Sequence, residues 1–278
     1  MSKLTVVVEN TAQDEKLGSE HGLSLWLEHQ GKNLLYDTGV GKNLLPNLKA
    51  LGLNPAVLDG VVLSHGHYDH VGGLAALLRV RLEKGLGTPI WCHEAVFAPH
   101  LKQKPGEVVS IAPEGHEKAR YEDLGARFTF VENSLSLWPG VRLWAPIPRV
   151  TDFEGPAPSL VTMDGDKVVP DPFTDDLAMT VETEQGLNVI TGCAHSGVIN
   201  VLLAVENGLG KKADLLIGGT HLGPAPKPQQ DRALAELKAR EELKVAAGHC
   251  TGEDIQRKMA QILGSRFLGL SGGMVLSL

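Results

Sequence analysis

The chain has 278 residues, a formal charge of −7, 42% hydrophobic and 21% charged residues. A chain of this length buries roughly 75% of the surface its unfolded form exposes, its apolar content excludes global disorder, and it has no run of about 18 apolar residues to span a membrane. The acidic balance, without a long basic run, argues against a sequence-independent grip on nucleic acid, and three cysteines make no disulfide framework. The first residues, MSKLTVVVEN, have neither a long apolar core nor a small-residue cleavage site of the secretory kind. These features predict a soluble cytoplasmic protein.

In chain order, β-branched and apolar runs predict strands at 5–8, 23–27 and 34–36, the last two joined by a turn at Gln30-Gly31-Lys32-Asn33. A short buried-type strand follows at 61–63, then a polar cluster, then a helix over 74–82 with Leu74, Leu77, Leu78 and Leu82 on one face. The next strand is predicted at 89–92. The stretch from 99 to 172 is rich in proline, glycine and charge, with strand-like pieces at 127–131, 141–144 and 160–163. It reads as strands carrying long loops within one 1–278 domain. Beyond it come a hairpin at 178–183 and 187–191 around Gly186, a helix at 196–205, a strand at 213–217, a helix at 229–240, a strand at 243–246, a helix at 253–263 and a closing strand at 274–278. In both halves an apolar strand runs into a histidine-bearing loop and then a helix. Two sheets packed face to face with helices outside is the simplest layered solution.

The chemistry concentrates in Ser64-His65-Gly66-His67-Tyr68-Asp69-His70, directly after a predicted strand. His65 and His67, two residues apart in an extended loop, point to one side. Asp69 and His70 turn toward a second position as the chain enters the helix. Neutral imidazoles and a carboxylate suit zinc, iron or manganese, and such a cluster makes no sense as a solvated face. Two more strands end in single histidines, in Thr191-Gly192-Cys193-Ala194-His195 and in Ala246-Ala247-Gly248-His249-Cys250. Asp37 also ends a strand. It is either a turn-former or an acceptor that orients a ligand histidine.

On these motifs the chain resembles the metallo-β-lactamase fold superfamily: SHGHYDH matches its HxHxDH motif, and His195, His249 and Asp37 match its later histidines and early strand-end aspartate. The resemblance implies an α/β fold, a four-layer αββα sandwich. It implies two divalent metal ions, zinc first, with manganese or iron as alternatives. One ion would take His65, His67 and His195, the other Asp69, His70 and His249. The superfamily commonly adds a bridging aspartate between the last two histidines. Here that element reads Ile217-Gly218-Gly219-Thr220-His221, with Gly219 at the aspartate's place. The second metal is then expected to bind more weakly than the first, or not at all. Further segments, Glu20-His21-Gly22, Ile147-Pro148-Arg149, Asp175-Asp176, TGCAHSGVIN, GGTHL and GHCTG, resemble the branch of 7,8-dihydropterin-6-yl-methyl-4-(β-D-ribofuranosyl)aminobenzene 5'-phosphate synthases. That resemblance implies transfer of a dihydropterin methyl group onto an aminobenzene riboside phosphate, with release of pyrophosphate.

Several residues are assigned roles on this basis. Asp69 suits holding and deprotonating a water, and His221 is a compensating ligand, a substrate contact or a structural loop residue. Arg149 is an anion clamp or a surface ion pair. His21 sits at the site mouth by likeness. Asp176, with Asp175, holds a loop, contacts substrate or is a solvated charge pair. Cys92, Cys193 and Cys250 read as small core residues, with thiolate ligation the alternative. Trp91, Trp138 and Trp144 pack the core or wall an aromatic pocket. Three readings follow. The first is a metal-dependent hydrolase of a small ester, phosphoester or lactone. The second is the pterin transferase, and the third a catalytically idle metal-binding sensor. The expected partner is a small molecule, phosphorylated or pterin-like, with no nucleic acid or membrane; self-association is left open.

Overall fold

A computed structural model describes residues 2–278. Two seven-stranded sheets pack against one another. The first runs, edge to edge, through Val275–Ser277, Lys3–Val8, Ser24–His29, Lys32–Tyr36, Gly60–Val62, Thr88–Cys92 and Ala126–Phe130. The second runs through Phe267–Gly269, Lys244–Ala247, Leu215–Gly218, Gly186–Thr191, Ala178–Thr183, Val141–Trp144 and Leu135–Trp138. Each sheet is antiparallel at one side and parallel at the other. In the first, Lys32–Tyr36, Gly60–Val62 and Thr88–Cys92 are parallel neighbours. In the second, Gly186–Thr191, Leu215–Gly218 and Lys244–Ala247 are parallel neighbours. The carboxyl ends of parallel strands leave a crevice in which ligands bind. All the motif loops lie at such ends.

Strand alternation decides which layer each side chain enters. Leu25, Leu27, Leu34 and Tyr36 face inward and meet Leu143, Met179, Val181 and Ile190 of the second sheet. Trp26 and Leu35, between them, face outward onto the helices Leu44–Ala50 and Leu74–Leu82. Val189, Leu216 and Val245 face outward on the other side onto Val198–Leu209, Lys227–Ala239 and Glu253–Leu263. The result is the αββα sandwich. The buried Tyr36 hydroxyl donates to the Leu177 carbonyl at 2.6 Å and ties the inner faces together.

Most predicted elements fall within a residue or two of the observed ones, and the last helix has the predicted bounds. The helix Leu74–Leu82 turns a different face inward at its end. Arg81 is buried, its guanidinium donating to Thr88 Oγ1 and the Gly87 carbonyl, while Leu82 is exposed. The helix Leu44–Ala50 went unpredicted because of Pro46. A proline in the first turn loses no hydrogen bond, since those N–H groups have no intrahelical partner. The stretch 99–172 holds more strand than predicted. It supplies a third sheet of four strands, Lys167–Pro170, Leu160–Asp164, Leu101–Lys104 and Glu107–Ser110, as well as edge strands to both large sheets. It also caps a distant helix: the Glu154 carboxylate accepts from the Ile199 and Asn200 amides at 3.0 and 2.8 Å. Among the described residues no helix is long and apolar enough to cross a membrane.

Candidate metal centre

His65, His67, Asp69 and His70 come from the loop and short helix after Gly60–Val62, in the first sheet. Cys193 and His195 follow Gly186–Thr191, His221 follows Leu215–Gly218, and His249 follows Lys244–Ala247, all in the second. The crevice between the two sheets brings them together. His65 Nε2 stands 3.2 Å from His195 Nε2, and His67 completes a triad whose ligand atoms lie within 4.8 Å of one another. Alongside it, His70 Nε2 stands 3.1 Å from His249 Nε2, and Asp69 Oδ2 is 3.4 Å from His249 and 3.9 Å from His70. Donors on one tetrahedral zinc, with Zn–N bonds of about 2.0–2.1 Å, stand about 3.4 Å apart.

The donor set itself fits such ions. His67 Nε2 and His195 Nδ1 are buried without a hydrogen-bond partner, and orphaned buried polar atoms are rare unless something else satisfies them. Burial and the neighbouring imidazoles push His65, His67 and His195 well below the ordinary imidazole range, which leaves them neutral, the form that binds metal. Burial opposes a proton on His70 too, but the Asp37 and Asp69 carboxylates overcome it and raise that group to about 9. Asp69 is held well below the usual carboxylate range; burial acts against this, and the nearby His70 and His249 outweigh it.

Asp37 lies behind His70. Its Oδ2 is 2.7 Å from His70 Nδ1 and accepts from Ser64 Oγ, and its Oδ1 accepts from the Ser64 amide at 2.7 Å. It is fully buried and its backbone is left-handed, at φ 60°. Among the described residues six non-glycine residues have positive φ, and five of them, Asp37, Phe173, Ala194, His221 and His249, belong to this site. Such backbone costs of order 1–3 kcal/mol per residue and persists where the surroundings over-determine it.

The remaining predicted residues divide. His21 stands at the exposed rim with Nε2 3.3 Å from Asp69 Oδ2. His221 packs its ring 4.2 Å from that of His195, and burial with the neighbouring His249 lowers it to about 4. Asp176 is not a substrate contact. It is buried, and its Oδ2 accepts from the Ser196 amide at 2.7 Å, which fixes the loop carrying His195. Burial raises its carboxyl to about 6. Asp175 is likewise buried rather than solvated and accepts from the Gly66 amide between the first two histidines. Arg149 is exposed and donates to the Pro172 carbonyl, away from the cavity. Trp91 and Trp138 pack edge to face against the core between the sheets, and Trp144 lines a separate cavity of about 440 Å³. A Cβ on Gly72 or Gly73 would meet the Val40 or Thr38 carbonyl at 2.3 Å, so these glycines let the helix start pack close to the strand end after Asp37.

Gly219 lies where two strand ends approach closely. A Cβ there would lie 2.3 Å from the Gly192 carbonyl oxygen and 2.6 Å from Cys250 Sγ, so no side chain fits. It is Cys193 that reaches the metal ligands, with Sγ 3.2 Å from His70 Nε2.

Supporting residues carried no local signal. Glu9 is buried and accepts from the His249 amide at 2.6 Å, and Asn10 Oδ1 lies 3.1 Å from His249 Nδ1. His100 is held between Asp171, at 2.7 Å, and Asp175, at 3.1 Å. Phe173 stacks on His195 at 4.0 Å. Their partners are 22 to 240 residues away, so only the fold reveals them. Above the centre opens a cavity of about 670 Å³, lined among others by His21, Lys102, His221, His249, Cys250 and Lys258.

The model of the metallo-beta-lactamase superfamily matches residues 17–249. A 7,8-dihydropterin-6-methyl-4-(beta-D-ribofuranosyl)-aminobenzene-5'-phosphate synthase of Methanocaldococcus jannaschii is 27% identical over 98% of this chain and 95% of its own length. Among solved structures, Tm1679, described as a metal-dependent hydrolase of the beta-lactamase superfamily, superposes with a TM-score of 0.85 at 23% identity, covering 100% of this chain and 99% of its own. Zn(2+)-bound PqqB from Methylobacterium extorquens superposes at 0.61 and 14% identity, covering 99% and 100%. Both structures share the fold described above, and with the sequence model covering most of the chain, the protein belongs to the metallo-beta-lactamase superfamily.

Proposed function

We propose that this protein is a metal-dependent hydrolase of a small anionic ester, phosphoester or lactone. The observation that carries the reading is the placement of Asp69. Its carboxylate lies behind the cavity-lining His21 and His249, 3.3 and 3.4 Å from their Nε2 atoms, beside two sets of candidate metal-ligating side chains. His65, His67 and His195, and Asp69, His70 and His249, would hold divalent ions, which when bound would supply a Lewis acid that lowers the pKa of a water toward about 7 and polarises the substrate oxygen. Asp69 Oδ2 would orient that water and relay its proton to His21 Nε2, 3.3 Å away, and so to solvent. Lys102 and Lys258, on a cavity wall that also carries Glu253 and Asp254, are the cations available to an anionic substrate. His221 is neutral at pH 7, so its ring offers a hydrogen bond to the substrate rather than a labile proton. Hydrolysis is preferred over pterin transfer because the cavity opens to water and no Phe, Tyr or Trp is among its lining residues to stack a pterin ring.

The transferase reading is kept for one reason, the near full-length likeness to the M. jannaschii synthase. One set of assays separates the two. Purified protein loaded with zinc, manganese or iron is expected to turn over p-nitrophenyl phosphodiesters, acyl esters or lactones, and Asp69→Asn to lower the rate about 10²–10⁴-fold. No turnover with any metal, together with pyrophosphate release from the pterin diphosphate and the aminobenzene riboside phosphate, would replace hydrolysis by transfer.

A further inference from the structure

We propose that Cys193 supplies a thiolate bridge between the two metal positions, an inference that rests on the two-ion reading above. Cys193 Sγ forms a group with His65 and His70, all ligand atoms within 4.8 Å. His65 belongs to the triad with His67 and His195; His70 faces Asp69 and His249. One sulfur thus stands beside both sets, 3.2 Å from His70 Nε2. It is buried, and so are the orphaned His67 Nε2 and His195 Nδ1 of the adjoining triad.

The surrounding backbone is built for that placement. A Cβ at Gly192 would meet Ser64 Oγ at 2.1 Å, and one at Gly219 would approach Cys193 Cα at 3.3 Å and Cys250 Sγ at 2.6 Å. Two side-chain-free positions therefore let the Cys193 segment lie against Ser64 and Asp37 on one side and Cys250 on the other. Binding exchanges the Sγ–H bond for bonds from sulfur to two ions, and one proton leaves to solvent. A thiolate among imidazoles favours zinc and iron(II) over magnesium and calcium. Cys250, grouped with Cys193 and His249, lies on the cavity side and is not the bridge.

Cobalt(II) is the probe, because it fills zinc sites and a thiolate ligand adds a charge-transfer absorption in the near ultraviolet. Wild-type protein reconstituted with cobalt should bind two ions per chain and show that band. Cys193→Ala should lose the band and fall to one tightly bound ion, Cys250→Ala should keep both, and Cys193→Asp should hold two ions without the band. Cys193→Asp also guards against misfolding of the alanine variant, since a carboxylate fills the place. Two bound ions with no thiolate band in wild type overturn the bridge and leave the metal centre standing. A band that survives in Cys193→Ala and vanishes in Cys250→Ala overturns it as well. A wild-type protein that binds no cobalt overturns both the bridge and the metal centre.

Discussion

Asp37 shows how one residue sets the state of another. Its Oδ2 lies 2.7 Å from His70 Nδ1, which leaves Nε2 free to face the neighbouring ligands. Asp37→Asn replaces one acceptor oxygen by a donor and misorients the ring. The expected result is a 10–100-fold loss of affinity for the second ion, with the first retained, as read by chelator competition. A second test concerns His100, buried beside Asp171 and Asp175. Burial disfavours its charge, but the two carboxylates prevail and raise it to about 10. A histidine held above its unfolded value of about 6.5 binds its proton more tightly in the folded chain. That stability is complete below pH 6.5 and is lost as pH rises toward 10. Asp171→Asn should therefore cost about 1.5–3 kcal/mol at pH 6 and much less near pH 10, as measured by chemical denaturation. The candidate ligands were legible because six of them sit in short motifs after apolar strands, and the fold brings those motifs together. Glu9, Asn10, His100 and Phe173 were not, since a lone glutamate or phenylalanine has no meaning until the fold shows what it touches. Cys193 reads from sequence as a small buried residue with ligation as the alternative, and it is buried; its nearness to His70 shows only in the fold.

At the scale of elements, hydrophobic period carried the prediction where burial is one-sided. Leu74, Leu77 and Leu78 point inward as their spacing requires, and Leu78→Ala should cost about 2–5 kcal/mol. The same spacing misplaces Leu82, because Arg81 finds buried acceptors at the strand that follows; Leu82→Ala should change thermal stability by no more than about 0.5 kcal/mol. The stretch 99–172 resisted reading for another reason. Its third sheet is made of short, largely exposed hairpins, so no buried face imposed a period on the sequence. Close packing of strand ends is the other element-level demand. Gly219→Ala drives a methyl into the Gly192 carbonyl and Cys250 Sγ. A loss of about 1–3 kcal/mol is expected, together with lower metal content by elemental analysis.

On the scale of the whole molecule, the two sheets repeat one plan, antiparallel on one side and parallel on the other, and contribute their carboxyl ends to a common crevice. The layering was legible because each half of the sequence repeats strand, histidine loop and helix. The contacts that seal the halves are extreme in separation: Glu9 holds His249 across 240 residues. Since ions bind the folded chain and not the unfolded one, saturating zinc at about 100 times its dissociation constant should add about 2.7 kcal/mol. Removing it with a chelator should lower the melting temperature by several degrees, in one transition rather than two.

His65, His67 and His70 come from one half of the chain and Cys193, His195 and His249 from the other, so neither half can hold an ion pair by itself. With the proposed ions in place, metal supply would govern how long each molecule lasts as well as how fast it works. A chain starved of metal would lose one clasp between its halves, open more often, and present the strands of its inner faces to proteases. Abundance of the protein would then follow availability of the ion.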